Sequence, residues 1–159
     1  MHKITPFLWF DGQAEEAAQF YVAVFRNGRI LKIVRFGEAG PGPPGTVMTV
    51  AFEVNGQQFT ALNGGPQFKF TEAISFVVSC QTQAEIDELW GKLAADGGRE
   101  GRCGWLKDKY GLSWQLVPPV LPDLLADPDP VRATRTLHAM MQMGKLDIAT
   151  LHKAHQGHA

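Results

Sequence analysis

Displaced by 70 positions, the sequence meets itself twice at corresponding places: Gln13-Ala14-Glu15 falls on Gln83-Ala84-Glu85, and Asn27-Gly28-Arg29 falls on Gly97-Gly98-Arg99. Each match flanks a stretch with helical periodicity, one at its start and one at its end. A tandem duplication constrains the fold more than any single motif does, because both copies must bury their apolar faces with the same order of elements. In the first copy, Lys3 to Phe10 reads as a strand closed by Asp11-Gly12. A helix begins near Gln13, with Ala17, Phe20, Tyr21, Val24 and Phe25 recurring on one face while Glu15, Glu16 and Gln19 face water. Asn27-Gly28 ends it, and Ile30 to Phe36 is a second strand. The three prolines and four glycines of Gly37 to Gly45 exclude regular structure and predict a mobile loop. Thr46 to Val54 and Gln57 to Leu62 are two more strands, joined at Asn55-Gly56, the dipeptide best suited to the positive backbone angles of a two-residue hairpin.

The second copy repeats the order. Ala73 to Cys80 is a strand, Thr82 and Glu85 form a capping box, and Ile86, Leu89, Trp90, Leu93 and Ala94 make an apolar helical stripe that Gly97-Gly98 terminates. Arg99 to Leu106 supplies one or two short strands, and Cys103 to Pro118 closes the sheet as a hairpin: Lys107-Asp108-Lys109 is polar, Gly111 turns, and Leu112 to Val117 is a strand stopped by Pro118. Beyond it, Leu121 to Ala126 and Pro130 to Met143 read as helices, Asp129-Pro130 as cap and first-turn proline, and Ile148 and Leu151 as the face of a last helix. The expected class is α+β: two tandem βαβββ modules forming a cup-shaped mixed sheet, at 1–66 and 71–118, with a helical extension at 119–159.

With 45% hydrophobic residues over 159 positions, the chain can bury a core without cross-links. Its net charge of -1 is spread without a basic stripe, so neither nucleic acid nor anionic membrane is an expected partner. Cys80 and Cys103 stand far apart with no CxxC pattern, which suits reduced, buried thiols. There is no leader-like or membrane-spanning pattern, and the expectation is a cytoplasmic protein.

Duplicated βαβββ modules resemble the vicinal oxygen chelate superfamily, which includes glyoxalase I, extradiol dioxygenases and bleomycin-resistance proteins. Phe20-Tyr21, Leu62-Asn63-Gly64-Gly65-Pro66, the Cys103 to Pro118 block and the tail from Ala139 to Ala149 are similar to the branch labelled 3-demethylubiquinone-9 3-methyltransferase. The resemblance implies that each module curls into half of a cup, with a ligand or metal between the halves, and that the protein is a homodimer. Metal-using members place His, Gln or Glu on the first and last strands of each module. The matching positions here are Thr5, Ala61 or Asn63, Ala73 and Gln115. Those side chains cannot hold a divalent transition ion without anionic or imidazole partners, and no other cofactor is expected. His152, His155 and His158 are read as a solvated face and His138 as a packing residue.

Alternation places Phe7 and Trp9 on one side of the first strand, with Phe59, Ala61 and Asn63 on the same side of the fourth, and Ser113, Gln115 and Val117 on the last. Together with Trp105, these give aromatic walls with a few polar groups, the composition of a small-molecule pocket; the plain alternative is that the aromatics are core. The weak catalytic candidates are Cys103, more simply a structural thiol, and Asp108, more simply a turn residue. Gly40-Pro41-Gly42-Pro43-Pro44-Gly45 is no phosphate or methyl-donor cradle, since its prolines lack N–H donors and no helix follows. The expected function is a metal-independent enzyme acting on a small neutral, aromatic or quinone-like metabolite. The alternatives are a ligand-sequestering protein of the bleomycin-resistance type, methyl transfer as the family label suggests, and a dimer whose cup is vestigial.

Overall fold

In the computed structural model, which describes residues 3–158, β1 runs from Phe7 to Phe10. The strand starts later than the apolar pattern from Lys3 suggested, because Pro6 has no N–H for the ladder; its carbonyl still accepts from Thr60 N at 3.0 Å. The chain continues through α1 (Ala14–Val24), β2 (Arg29–Arg35), β3 (Val47–Val54) and β4 (Gln57–Asn63). These strands form one sheet in the order β1-β4-β3-β2, with β1 parallel to β4 and the other neighbours antiparallel. Asn55 and Gly56 take φ of 48° and 79°, as the β3–β4 hairpin requires. Ala14, Ala17, Ala18, Tyr21 and Val24 of α1 are buried. Against them lie Leu8, Phe10, Val50, Phe52, Val54, Phe59 and Ala61 from one face of the sheet. Phe52 is the keystone: its ring stacks on Tyr21 at 5.8 Å and on Phe59 at 5.4 Å. Truncating so enclosed an aromatic costs about 3–5 kcal/mol in comparable cores.

The second unit repeats the plan with β5 (Ser75–Ser79), α2 (Gln83–Leu93), β6 (Arg99–Glu100), β7 (Trp105–Lys107) and β8 (Ser113–Val117), in the order β5-β8-β7-β6. Thr82 Oγ1 accepts from Glu85 N at 3.1 Å; the Glu85 carboxylate reaches back to Gln81 N at 2.9 Å, one residue before the position a capping box prescribes. The duplication has a steric signature as well. A Cβ on Gly28 would lie 2.4 Å from the Val22 carbonyl oxygen, and one on Gly98 would lie 2.6 Å from that of Ala94. In both copies the chain leaves its helix so close to the last turn that only glycine fits. The chain divides into two compact units, Met1–Phe70 and Thr71–Ala159.

Within the second unit, α3 (Val120–Leu125), α4 (Pro130–Met141) and α5 (Ile148–Gln156) gather around Leu121, Leu124, Leu146 and Leu151. Asp129 caps α4 through a bond from Val131 N at 2.9 Å. Arg135 donates to the carbonyls of Ala154 and His155 at 3.0 and 2.8 Å, closing the last turn of α5. The histidines differ from expectation. His155 is half-buried and its Nε2 lies 2.8 Å from Asp127 Oδ2, while His138 is exposed because α4 turns its Thr136 face inward. The tail is stitched to the sheet by its backbone: Cys103 N donates to Met143 O at 2.9 Å and Gly104 N to Gly144 O at 2.8 Å. Gln83 clamps the next turn, giving Nε2 to Leu146 O at 3.0 Å and accepting from Ile148 N at 2.8 Å. Among the described residues no helix is long and apolar enough to cross a membrane.

Candidate functional site

In each unit one helix packs on one face of the sheet, α1 in the first and α2 in the second, and the face turned away from that helix is termed the open face. Strand register decides which side chains reach the open face. In the first unit Trp9 pairs with Leu62 and Phe10 with Asn63. Phe7 and Trp9 therefore share the open face with Thr60 and Leu62, whereas Phe59, Ala61 and Asn63 point to the helix side. This corrects the expectation that all five share one side; all four residues from Phe7 to Phe10 are apolar, so alternation alone left the parity free. Phe7 is 62% exposed and Phe59 is buried in the core. Trp9 is held from its edges: Nε1 donates to Gly65 O at 2.8 Å, and Phe68 meets its ring edge-on at 4.8 Å. A Cβ on Gly64 would sit 2.4 Å from that ring, the physical reason for the Asn63-Gly64-Gly65 run.

Asn63 has a structural task. Its Oδ1 accepts from Ala14 N at 2.9 Å, satisfying an unpaired donor at the start of α1 where Gln13 offers no cap, and its Nδ2 donates to Val47 O at 3.0 Å. Both ends of the amide are thus engaged.

The second sheet brings three of the expected residues together. Trp105 pairs with Gln115 and Lys107 with Ser113, so all four side chains share the open face. Gln115 Nε2 donates to Ser75 Oγ at 2.9 Å. Ser113 is 1% exposed, and its Oγ has no hydrogen-bond partner among the described residues. A buried hydroxyl without a partner is costly and uncommon in native proteins. It lines a cavity of about 180 Å³ with Glu72, Arg99, Trp105 and Lys107. Lys107 is ion-paired to Glu72, and that hydrogen bond holds the Glu72 carboxyl below its ordinary range. Neither Glu72 nor Arg99 is marked as a site residue by the sequence: Arg99 arrives through its pairing with Lys107, and Glu72 lies in the turn before β5.

Asp108 and Cys103 lie apart from this hydroxyl's face. The Asp108 carboxylate is buried and accepts from Tyr110 N at 2.9 Å, Leu112 N at 3.1 Å and Trp114 Nε1 at 2.9 Å. It is the hub of the β7–β8 turn. Cys103 adopts φ of 58°, unusual for a residue with a Cβ, and its backbone joins the tail.

The residues at the positions where the resemblance would place metal ligands do not fit a metal. Ala61 and Ala73 carry no donor atom, Asn63 is engaged at both ends, and Thr5 precedes β1. Among the described residues, no three His, Cys, Asp or Glu side chains converge to hold an ion.

The family model described as 3-demethylubiquinone-9 3-methyltransferase matches residues 2–117. The PhnB protein of Bacillus cereus, which carries the same methyltransferase label, is 43% identical over 74% of this chain and 99% of its own, with a TM-score of 0.67. Protein PA1353 from Pseudomonas aeruginosa shares the fold at 22% identity over 73% of this chain and 96% of its own, with a TM-score of 0.60. The structural neighbours also include a glyoxylase/bleomycin resistance protein/dioxygenase domain from Frankia sp. EAN1pec, at 14% identity over 74% of this chain and 98% of its own, with a TM-score of 0.49. No curated protein matches the chain. With the family match spanning both βαβββ modules and the B. cereus protein similar across them, the chain belongs to the 3-demethylubiquinone-9 3-methyltransferase-like family.

Proposed function

We propose that the protein binds a small neutral, aromatic or quinone-like metabolite on the open face of its second sheet and transforms it without a metal. The observation that carries this reading is the buried, unpartnered hydroxyl of Ser113 beside Trp105 and Gln115. A hydroxyl or carbonyl on a bound ring would satisfy it, and Trp105 would give the ring an apolar wall. The cavity volume, about 180 Å³, is of the order that accepts a single six-membered ring, since an apolar cavity of roughly 150 Å³ takes up benzene. The charges around it offset one another, Glu72 and Glu100 against Arg99 and Lys107, which favours a neutral occupant. Asn63 and Phe59 have structural tasks on the helix side of the first sheet.

The test is Ser113→Ala. It should leave the ligand-free protein as stable as the parent or stabilise it by about 1–3 kcal/mol, because an unsatisfied buried group is removed. Calorimetry should show the parent binding hydroquinone more tightly than benzene, and the substitution should erase that preference. Loss of stability with the preference intact would place Ser113 in the core and refute the site. A protein that only sequesters its ligand would bind in the same way, so consumption of the ring compound by the purified chain separates enzyme from binder. Methyl transfer, the activity in the family's name, would show as methylation of a hydroxylated quinol dependent on S-adenosylmethionine. The homodimer implied by the superfamily is supported by Val131, Leu137 and Met141, large apolar side chains exposed on α4.

A further inference from the structure

We propose that the first unit carries a second ligand site, a cleft for a small zwitterion such as a short peptide, at the ends of β2, β3 and β4. The cleft has a volume of about 640 Å³, within the range of ligand pockets. One wall is the first turn of α1 with Gly12 and Glu15, and the opposite wall is Arg35 and the Pro-Gly loop; Gly64 and Gly65 contribute backbone. The loop wall is built before any ligand arrives. Phe36 N donates to Thr46 O and Gly45 N to Phe36 O, both at 2.8 Å, and Thr46 Oγ1 donates to Pro43 O at 2.6 Å. The Phe36 ring props the loop from beneath so closely that a Cβ on Gly42 would lie 2.5 Å from it. Cβ atoms added to Gly12 and Gly45 would meet nothing within 4 Å, so at both positions the backbone faces open space that a ligand can approach.

Two side chains of opposite charge supply the selectivity. Arg35 spends one N–H on Gly45 O, at 3.2 Å, and the rest of its fork remains available for a carboxylate. Glu15 is half-buried, whereas its neighbour Glu16 is exposed, and among the described residues its carboxylate meets no partner. A carboxylate on the cleft wall with no partner among the described residues favours a cationic group beside it. It also opposes a simple anion at the helix N-terminus, whose favourable dipole Glu15 already occupies. A ligand with an ammonium at one end and a carboxylate at the other satisfies both groups.

The experiment is a ¹⁵N-resolved NMR titration of the full chain with glycyl-phenylalanine, its C-terminal amide and its N-acetyl form. The free dipeptide should shift the amides of Gly12, Gly45 and Gly65 and the Arg35 Nε signal, and should bind at least tenfold more tightly than either blocked form. Arg35→Gln should remove the advantage over the amide, and Glu15→Gln the advantage over the N-acetyl form. Arg35→Lys, which keeps the charge but not the fork, should restore part of the loss. Equal affinity for all three compounds, shifts elsewhere in the chain, or no shift at millimolar dipeptide would overturn the proposal. None of these outcomes bears on the Ser113 site.

Discussion

Replacing Asp108 with asparagine tests whether the buried carboxylate is a structural hub. In the native protein Oδ1 receives the N–H groups of Tyr110 and Leu112, and Oδ2 receives the indole N–H of Trp114. Asparagine keeps one oxygen for the two backbone donors but sets an NH₂ group against Trp114 Nε1, so one charge-assisted bond becomes two donors facing each other. Bonds to charged groups contribute about 1.5–3 kcal/mol, and a stranded buried donor costs a similar amount, so Asp108→Asn should lower stability by about 2–4 kcal/mol. Asp108→Ala should cost more, since it strands all three donors. Trp114→Phe in the Asp108→Asn background should cost less than Trp114→Phe alone, because the contact it removes is already lost. Urea unfolding followed by tryptophan fluorescence reads all of these. A loss below about 0.5 kcal/mol for Asp108→Asn, or simple additivity in the double variant, would refute the hub.

Further outcomes follow from geometry already described. Gly64→Ala should destabilise by about 1–3 kcal/mol, because its methyl would strike the Trp9 ring, while the open position Gly37→Ala should be close to neutral; thermal unfolding of the pair distinguishes them. The Cys80 thiol is fully enclosed, and burial, then the Glu85 carboxylate, pushes its pKa up to about 12. Since the folded value lies above the unfolded one, folding keeps a proton that the unfolded chain releases. That contribution is complete below about pH 9 and falls by roughly 1.4 kcal/mol per pH unit as pH rises towards 12. Cys80→Ala should flatten this alkaline slope in chemical-denaturation curves, and an unchanged slope would show that Cys80 is not its source.

Much of the architecture was legible in the residues because it rests on local chemistry. Asn55-Gly56 can hardly be anything but a tight hairpin, Thr82 with Glu85 announces a helix start, and the repeated glycines at 28 and 98 mark the same close passage in each copy. The candidate site was less legible because it depends on strand parity and on partners distant in sequence. Phe7-Leu8-Trp9-Phe10 gives no polar residue to reveal which pair faces the helix, so sequence alternation alone does not separate Phe59 and Asn63 from Phe7 and Trp9. In the second sheet Lys107-Asp108-Lys109 and Ser113 supply polar markers, and the grouping of Trp105, Ser113 and Gln115 follows them. Arg99 reaches the site by pairing with Lys107 and Glu72 by the turn before β5, and Glu15, read as a water-facing helix residue, is half-buried on the wall of the cleft.

The backbone seam between Cys103-Gly104 and Met143-Gly144 has a consequence for how this chain can change over time. Peptide groups rather than side chains make the join, so it constrains sequence chiefly where the backbone must come close: a Cβ on Gly104 would press on Leu116 O and Leu146, each at 3.0 Å, and one on Gly144 would lie 3.2 Å from Gly101 O. Residues beyond 117 lie outside the family model, yet Leu146 is fully enclosed in the second unit and is held there by Gln83. An appendage attached in this way can drift on its outer faces while the small residues of the seam, Gln83 and the leucines of its core keep it docked. Similarity would then fade along the three helices long before the attachment itself was lost.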